Sequence, residues 1–346
     1  MHVPDGFLDA PTSLATGAVA ATALTVAIRR VHEQYEEKAA PLAGLTAAFI
    51  FAVQMLNFPV GVGTSGHLLG GALAAILVGP WTAILCMSVV LLVQALLFAD
   101  GGLTALGTNI TLMGVVTVLV GWGVAKVVLG VLSRRPVSVV PASFVAALVS
   151  VPVAALAFVG LYAIGGAADL PMGTLAVSML GWHLLIGLGE AVITAATVSA
   201  VVAVRPDLVY AARGLGPVLE LRGPGIPVPA PATAPAVSPR GSLRPVLLIG
   251  GTAALLLAGV VSFSASSSPD GLEHVAGENG FLETAREHLL GNLPLADYGK
   301  VGGIPVGLAG ILGVLVTIMV GWLLLRLVAR RRARPVAEPA RSAEHV

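Results

Sequence analysis

The sequence predicts an all-α protein that crosses a membrane several times. Its 346 residues are 56% hydrophobic and 11% charged, and the mean hydropathy is +0.93. Soluble proteins have about a quarter of their residues charged, so this composition excludes a soluble chain. The 42 glycines favour close packing, because small residues let membrane helices approach one another.

Seven apolar segments in the first part of the chain predict one helical bundle. A membrane-crossing helix needs about 20 apolar residues, and fewer where neighbouring protein shelters it. The third segment is short, follows a glycine-rich turn and ends at Gly79-Pro80. We expect it to lie inside the bundle, preceded by irregular backbone that lines a cavity. The predicted helices are 11–30, 41–57, 67–79, 81–99, 104–132, 138–165 and 173–204.

Composition divides the rest of the chain. A tract rich in Pro, Gly and Ala at 206–244 predicts an extended linker after a first domain at 1–205. Two further transmembrane helices, 245–263 and 304–329, flank a polar segment at 264–303 and form a domain at 245–329. Within the polar segment, 281–290 is expected to be a short amphipathic helix. Residues 330–346 form a basic tail.

Positive charges predict the orientation in the cell membrane, because Lys and Arg collect on the cytoplasmic side. This rule places the N-terminus and the 264–303 segment outside, and the linker and C-terminus inside. A net charge of +1, with no basic run before the C-terminus, gives no sign of a nucleic-acid partner. The single cysteine, Cys86, excludes an intrachain disulfide and a cysteine-based metal cluster. The acids on the outer side include Asp5, Asp9, Asp100, Asp169, Asp270, Glu273, Glu278, Glu283, Glu287 and Asp297.

The first two residues, Met1-His2, form a potential chelate. The α-amine of Met1, the amide nitrogen of His2 and the Nδ1 of His2 can coordinate one metal ion together. Another imidazole, such as that of His67 in the turn 63–71, can occupy the fourth position of a square-planar site. Four nitrogens in a plane suit Ni(II) and Cu(II) and accept Co(II). We expect the N-terminus to stay intact, since residues 1–10 lack the basic residues of a cleavable signal. Taken alone, each histidine is more often an ordinary hydrogen-bonded group.

Several motifs resemble one known family. The segments 1–8, 54–60 with 63–71, 94–107 and 182–191 are similar, in this order, to the CbiM/NikM substrate-binding components of energy-coupling-factor (ECF) transporters for cobalt and nickel. The sequence Pro-Asp-Gly-Leu-Glu at 269–273 resembles the PDGLE motif of their small companion subunit, CbiN or NikN. The chain therefore resembles a fusion of the two components.

The resemblance implies a seven-helix CbiM-like bundle and metal ligation by the Met1 amine, by the amide and imidazole of His2, and by the imidazole of His67. It implies Co2+ or Ni2+ as the transported ion, with no prosthetic group. It also implies a transmembrane coupling subunit similar to CbiQ or NikQ, and ATPase subunits similar to CbiO or NikO. The sequence itself contains no Gly-x-x-x-x-Gly-Lys-Ser/Thr motif for ATP hydrolysis. We therefore predict a transporter subunit rather than an enzyme.

Further polar residues are candidates near the metal or along its path. Asn57, Thr64 and Ser65 lie close to His67 in sequence and could accept a hydrogen bond from its second nitrogen. Asp100 follows a helix and is first interpreted as a turn residue, with a place over the metal pocket as the alternative.

His183 and Glu190 lie seven residues apart on one face of an apolar helix. They could line the metal path, contact the coupling subunit or anchor the fold, and the sequence does not choose among these roles.

Three rival functions remain open at this stage. The chain could be a membrane metal sensor or scaffold, an unrelated small-solute permease, or an intramembrane enzyme built on His183 and Glu190. No His-Glu-x-x-His spacing supports a zinc hydrolase. Nickel and cobalt fit the same nitrogens, so the sequence does not distinguish them.

Overall fold

Ten helices and one hairpin, together with short 3-10 turns, make up the regular structure of the described residues. The computed structural model describes residues 1–33, 39–215, 242–296 and 303–330. Most of the predicted linker, the tail after 330 and the end of the polar segment lie outside these ranges. The elements are α1 (Ala10–Glu33), α2 (Ala39–Gln54), β1 (Phe58–Gly61), β2 (Thr64–Gly66), α3 (Gly71–Val78), α4 (Pro80–Leu97), α5 (Leu106–Val131), α6 (Val139–Gly165), α7 (Met172–Val204), α8 (Arg244–Gly259), α9 (Gly271–Glu278) and α10 (Val306–Arg330).

The all-α, membrane-spanning fold is confirmed. Seven helices of the described chain are long and apolar enough to cross a membrane: α1, α4, α5, α6, α7, α8 and α10. All seven helices predicted for the first domain are present, although α2, with 16 residues, and α3, with 8, are too short to span a bilayer alone. Helix α5 contains a π-helical stretch at Ile110–Val116.

Helix α3 lies inside the bundle, as predicted, but begins four residues later than the sequence suggested. Gly70 adopts a left-handed conformation with φ 88°, and this ends the irregular segment before the helix. At its other end Gly79 has φ 84°, and Pro80 then occupies the first turn of α4. Gly71 has no room for a Cβ atom, because the side chain of Thr117 on α5 lies directly against it.

The segment before α3 is more regular than expected. Its glycine-rich turn belongs to an antiparallel hairpin in which Phe58 pairs with Gly66 and Pro59 with Ser65, with an irregularity before Gly61 pairs with Thr64. Hydropathy did not reveal these strands, since the hairpin is short and stands among helices. The hairpin places His67 immediately after β2.

The two helices of the second part pack on the first. Helix α10 contacts α2, α4 and α8, and small residues mark the closest approaches. A Cβ atom on Gly310 would collide with the Ala258 carbonyl, and one on Gly313 with the ring of Phe51. The close packing predicted from glycine content thus joins the two parts of the chain.

The polar segment between α8 and α10 folds over one end of the bundle. The prediction of an amphipathic helix at 281–290 is wrong, because only a short 3-10 turn forms there, at Leu282–Thr284. The helix forms earlier, as α9, because Asp270 and Glu273 make a reciprocal capping box at its start.

The N-terminal residues share a core with this segment. Met1, Val3 and Phe7 are buried and belong to one apolar cluster with Leu272 and Phe281. The rings of Phe7 and Phe281 meet edge to face at 5.0 Å. The N-terminal residues and the polar segment therefore meet at the same end of the bundle.

Candidate metal centre

The first residues are tied into the bundle by polar contacts. The Val3 amide donates to Asn109 Oδ1 at 2.8 Å, and Asn109 Nδ2 donates back to the Val3 carbonyl at 3.0 Å. The Asp5 carboxylate accepts hydrogen bonds from the backbone N–H groups of Leu103, Thr104 and Ala105. These bonds fix the chain at Val3 and Asp5, and so they position the chain start.

The α-amine of Met1 lies against the imidazole of His67. The amine nitrogen is 2.5 Å from His67 Nε2 in a buried position. His67 Nδ1 lies 2.9 Å from the Leu68 carbonyl, which can only accept, so Nδ1 carries the proton. The lone pair of Nε2 therefore points toward the amine and is available to a metal ion.

A chain of amides sets the tautomer of His2. Gln54 Nε2 donates to the Leu69 carbonyl at 2.8 Å, and Gln94 Nε2 donates to Gln54 Oε1 at 2.9 Å. Gln94 Oε1 is therefore an acceptor for His2 Nε2 at 3.1 Å, which requires the proton to be on Nε2. Burial lowers the pKa of His2 to about 4, so the ring is neutral and Nδ1 carries a lone pair. This is the nitrogen that the chelate requires.

The His2 nitrogen that would bind the metal faces a carboxylate. His2 Nδ1 lies 3.2 Å from Asp100 Oδ1, so two atoms with lone pairs face each other. The rings of His2 and His67 are stacked, with centroids 4.9 Å apart and planes inclined by 21°. A planar set of four nitrogens would therefore require the His2 ring to turn about its side-chain bonds.

Asp270 is the charged residue of this candidate centre that the site prediction missed. Its Oδ2 accepts from the Met1 amine at 2.8 Å and lies 3.6 Å from His67 Nε2. Burial alone would raise the pKa of this carboxyl, but the neighbouring amine and His67 hold it well below its usual range. The signal available in the sequence was the acid of the PDGLE motif, which lies 269 positions after Met1.

Glu190 and His183 occupy buried positions on α7. The carboxylate of Glu190 accepts from the backbone N–H groups of Leu69, at 2.6 Å, and Gly70, at 3.1 Å. It thereby holds the segment that follows His67. His183 Nδ1 donates to the Met179 carbonyl at 2.8 Å, and its Nε2 is buried without a hydrogen-bond partner among the described residues.

Asn57, Thr64 and Ser65 were predicted to accept a hydrogen bond from the second nitrogen of His67. None of them does so, because the Leu68 carbonyl accepts that hydrogen bond. Ser65 Oγ instead donates to the Ser268 carbonyl at 2.7 Å. The Asn57 carbonyl accepts from the Ser266 amide at 2.8 Å, and Thr64 is buried. Ser65 and Asn57 thus bind the polar segment to the hairpin.

A cavity of about 330 Å³ lies beside the imidazoles. Asp100, Asp270 and Glu273 line it, so its walls carry carboxylates that attract cations. The described residues contain no group of three His, Cys, Asp or Glu side chains arranged to hold a metal ion.

Residues 2–208 match the sequence profile described as the CbiM cobalt uptake substrate-specific transmembrane region. The chain belongs to the CbiM family. Residues 244–330 match the PDGLE domain, so the resemblance found in the motifs is confirmed for both parts.

Relatives of this CbiM-family chain are named as metal transport proteins. One from Archaeoglobus fulgidus, provisionally named a fused nickel transport protein, is 42% identical over 217 residues, covering 60% of this chain and 68% of the relative. A cobalt transport protein from Sorangium cellulosum is 33% identical over 217 residues, covering 60% of this chain and 94% of the relative. A crystal structure described as a truncated transition metal transporter is 31% identical, with a TM-score of 0.52, covering 59% of this chain and 99% of its own.

Proposed function

We propose that this chain is the substrate-capture component of an ECF-type importer for Co2+ or Ni2+. The observation that carries the proposal is the buried Met1 amine, whose nitrogen lies 2.5 Å from His67 Nε2. Neighbouring ligands of one small metal ion need such a separation. The family membership and the names of the relatives support metal transport rather than enzyme chemistry.

In this proposal the ion is bound by the Met1 amine, the His2 amide nitrogen, His2 Nδ1 and His67 Nε2. In this structure both imidazoles donate their other N–H to an acceptor, which leaves the lone pair on the nitrogen that would bind the metal. The His67 ring is already directed at the amine, whereas the His2 ring must turn away from Asp100 to bring its Nδ1 to the ion. Mg2+ and Ca2+ prefer oxygen ligands and would bind poorly. Cu(II) would bind these nitrogens as well, so selection against it depends on geometry and availability.

The energy for transport comes from partner subunits in this proposal. The chain has no P-loop motif, so a transmembrane coupling subunit of the CbiQ/NikQ type and ATPases of the CbiO/NikO type would supply ATP hydrolysis. The Arg286 amide donates to the Asp5 carbonyl at 2.7 Å, which supports placing the N-terminus and the polar segment on one side of the membrane. We propose that this side is the exterior.

Extending the N-terminus tests the chelate. A Gly-Ser-Gly extension before Met1 removes the free amine from its position and should abolish Ni2+ and Co2+ binding by titration calorimetry. The extension must exceed one residue, because a single added residue would place histidine third and create a different N-terminal chelate. The same extension after Val346 is the matched control. Unchanged affinity with the N-terminal extension would refute the ligand set.

Reconstitution in vesicles separates transport from sensing. With coupling and ATPase subunits present, the chain should accumulate nickel or cobalt in an ATP-dependent manner. Binding without any uptake in the complete complex would favour a sensor or scaffold.

A further inference from the structure

The carboxylate of Asp270 lies at the centre of the proposed site, although it belongs to the second part of the chain. Its Oδ2 is 2.8 Å from the Met1 amine, and its side chain is only 13% exposed. The contact joins residues that are 269 positions apart in the sequence. It is therefore a direct polar link between the PDGLE domain and the proposed ligands.

Asp270 is held so that one oxygen faces the amine. Its Oδ1 accepts from the backbone N–H groups of Leu272 and Glu273, at 2.8 and 2.9 Å, and so caps α9. The residues before it are fixed by the Ser65 amide, which donates to the Pro269 carbonyl at 2.9 Å. With one oxygen used by the helix, the other is left directed at the amine.

We propose that Asp270 is the counter-ion of the metal chelate, so that the PDGLE domain completes the binding site of the CbiM domain. This inference rests on the proposed function. Amide nitrogen binds a metal ion only after losing its proton to water, and the other three nitrogens bind as neutral groups. A divalent ion in this ligand set therefore retains one net positive charge, which is costly to bury without a partner.

The bound amine can keep its contact with Asp270. A metal ion uses the lone pair of the amine and leaves two N–H bonds, one of which can still donate to Oδ2. Asp100 is the other carboxylate close to the ligands, but it faces His2 and its side chain is 40% exposed, where solvent weakens an ion pair. Asp270 is therefore better placed than Asp100 to balance the charge of the bound ion.

The effect of removing the Asp270 carboxylate depends on whether the Met1 amine is free to move. Without a metal ion, an unpaired amine can turn toward the neighbouring cavity of about 330 Å³ and reach water. An amine bound to metal cannot leave, and its charge would remain buried. Removing the carboxylate should therefore destabilise the metal-bound protein more than the metal-free protein.

Asp270→Asn tests the proposal in the full-length chain. Asparagine caps a helix as well as aspartate does, so α9 should keep its start. We expect the affinity for Ni2+ to fall by about 10- to 100-fold in titration calorimetry, as for loss of a hydrogen bond to a charged group. The matched control is Asp9→Asn, since Asp9 is exposed and caps α1 through the Thr12 amide at 2.8 Å.

Absorption of the Ni2+-saturated protein separates a counter-ion from a ligand. The ligand-field band of Asp270→Asn should match that of the wild type, because the four nitrogens are unchanged. A shifted band would mean that Asp270 binds the metal itself, and unchanged affinity would mean that it does not stabilise the chelate; either result overturns the proposal. Asp270→Ser, a second neutral helix cap, must show the same loss. Failure of the ligand set itself would appear separately, as tight binding by the N-terminally extended chain.

Discussion

Glu190 is a buried carboxylate whose loss should loosen the segment that carries His67. It is fully buried and accepts the backbone N–H groups of Leu69, at 2.6 Å, and Gly70, at 3.1 Å. In Glu190→Ala both donors lose their acceptor in a buried region. Each buried unsatisfied group costs about 1–3 kcal/mol, so the free energy of unfolding should fall by about 2–6 kcal/mol.

The same change should weaken metal binding. His67 precedes Leu69 by two positions, and its Nε2, now 2.5 Å from the Met1 amine, must stay beside that amine to share an ion with it. Displacement of a supporting residue of this kind lowers metal affinity by about 10- to 100-fold. Glu190→Gln should lie between the wild type and Glu190→Ala, since its carbonyl oxygen can accept one N–H while its NH2 group opposes the other.

Denaturant titration in detergent and calorimetry with Ni2+ measure both effects. Thr194→Val is the matched control, because Thr194 is buried one turn further along α7 and its hydroxyl has no partner among the described residues. That replacement should change stability by less than about 1 kcal/mol. If Glu190→Ala kept both the stability and the nickel affinity of the wild type, Glu190 would not position His67.

Three other substitutions test the surroundings of the site. Asp5→Ala removes the acceptor of three backbone N–H groups, so amide exchange at residues 2–6 should accelerate and nickel affinity should fall; unchanged exchange would contradict the anchoring role. Gln94→Leu removes the acceptor that fixes the proton on His2 Nε2, so nickel binding should weaken by about 10- to 100-fold in calorimetry. Wild-type affinity would show that the chain of amides is not needed to set the tautomer of His2. Ser65→Ala breaks the bond to the Ser268 carbonyl; it should cost about 1 kcal/mol of unfolding free energy and speed exchange in 266–270, and equal protection there would count against this link.

Local signals were sufficient to predict the helices and part of the site. Hydropathy located all seven helices of the first part because helices buried in a bilayer or in a bundle are apolar. The short α3 was also marked by the glycine-rich turn before it and by Gly79-Pro80 after it. Met1 and His2 were identified as a potential chelate because they are adjacent in sequence. The glycine-rich turn identified His67, and the structure brings its ring to the amine.

Hydropathy and sequence adjacency did not predict the long-range contacts. Asp270 meets the amine only because the polar segment folds over the bundle, and neither spacing nor hydropathy encodes that path. The role of Glu190 depends on which N–H groups the irregular segment presents to α7. The prediction of a helix at 281–290 was wrong because it used apolar spacing and did not consider the capping box. That capping box starts the helix of this segment at Gly271 instead, as α9.

X-ray absorption of the Ni2+-loaded, full-length protein tests the central claim most directly. A chelate of the Met1 amine, the His2 amide and two imidazoles predicts four nitrogen neighbours and the pre-edge feature of square-planar Ni(II). The Gly-Ser-Gly extension before Met1 should remove that signature. A six-coordinate spectrum dominated by oxygen, or an identical spectrum from the extended chain, would contradict the account.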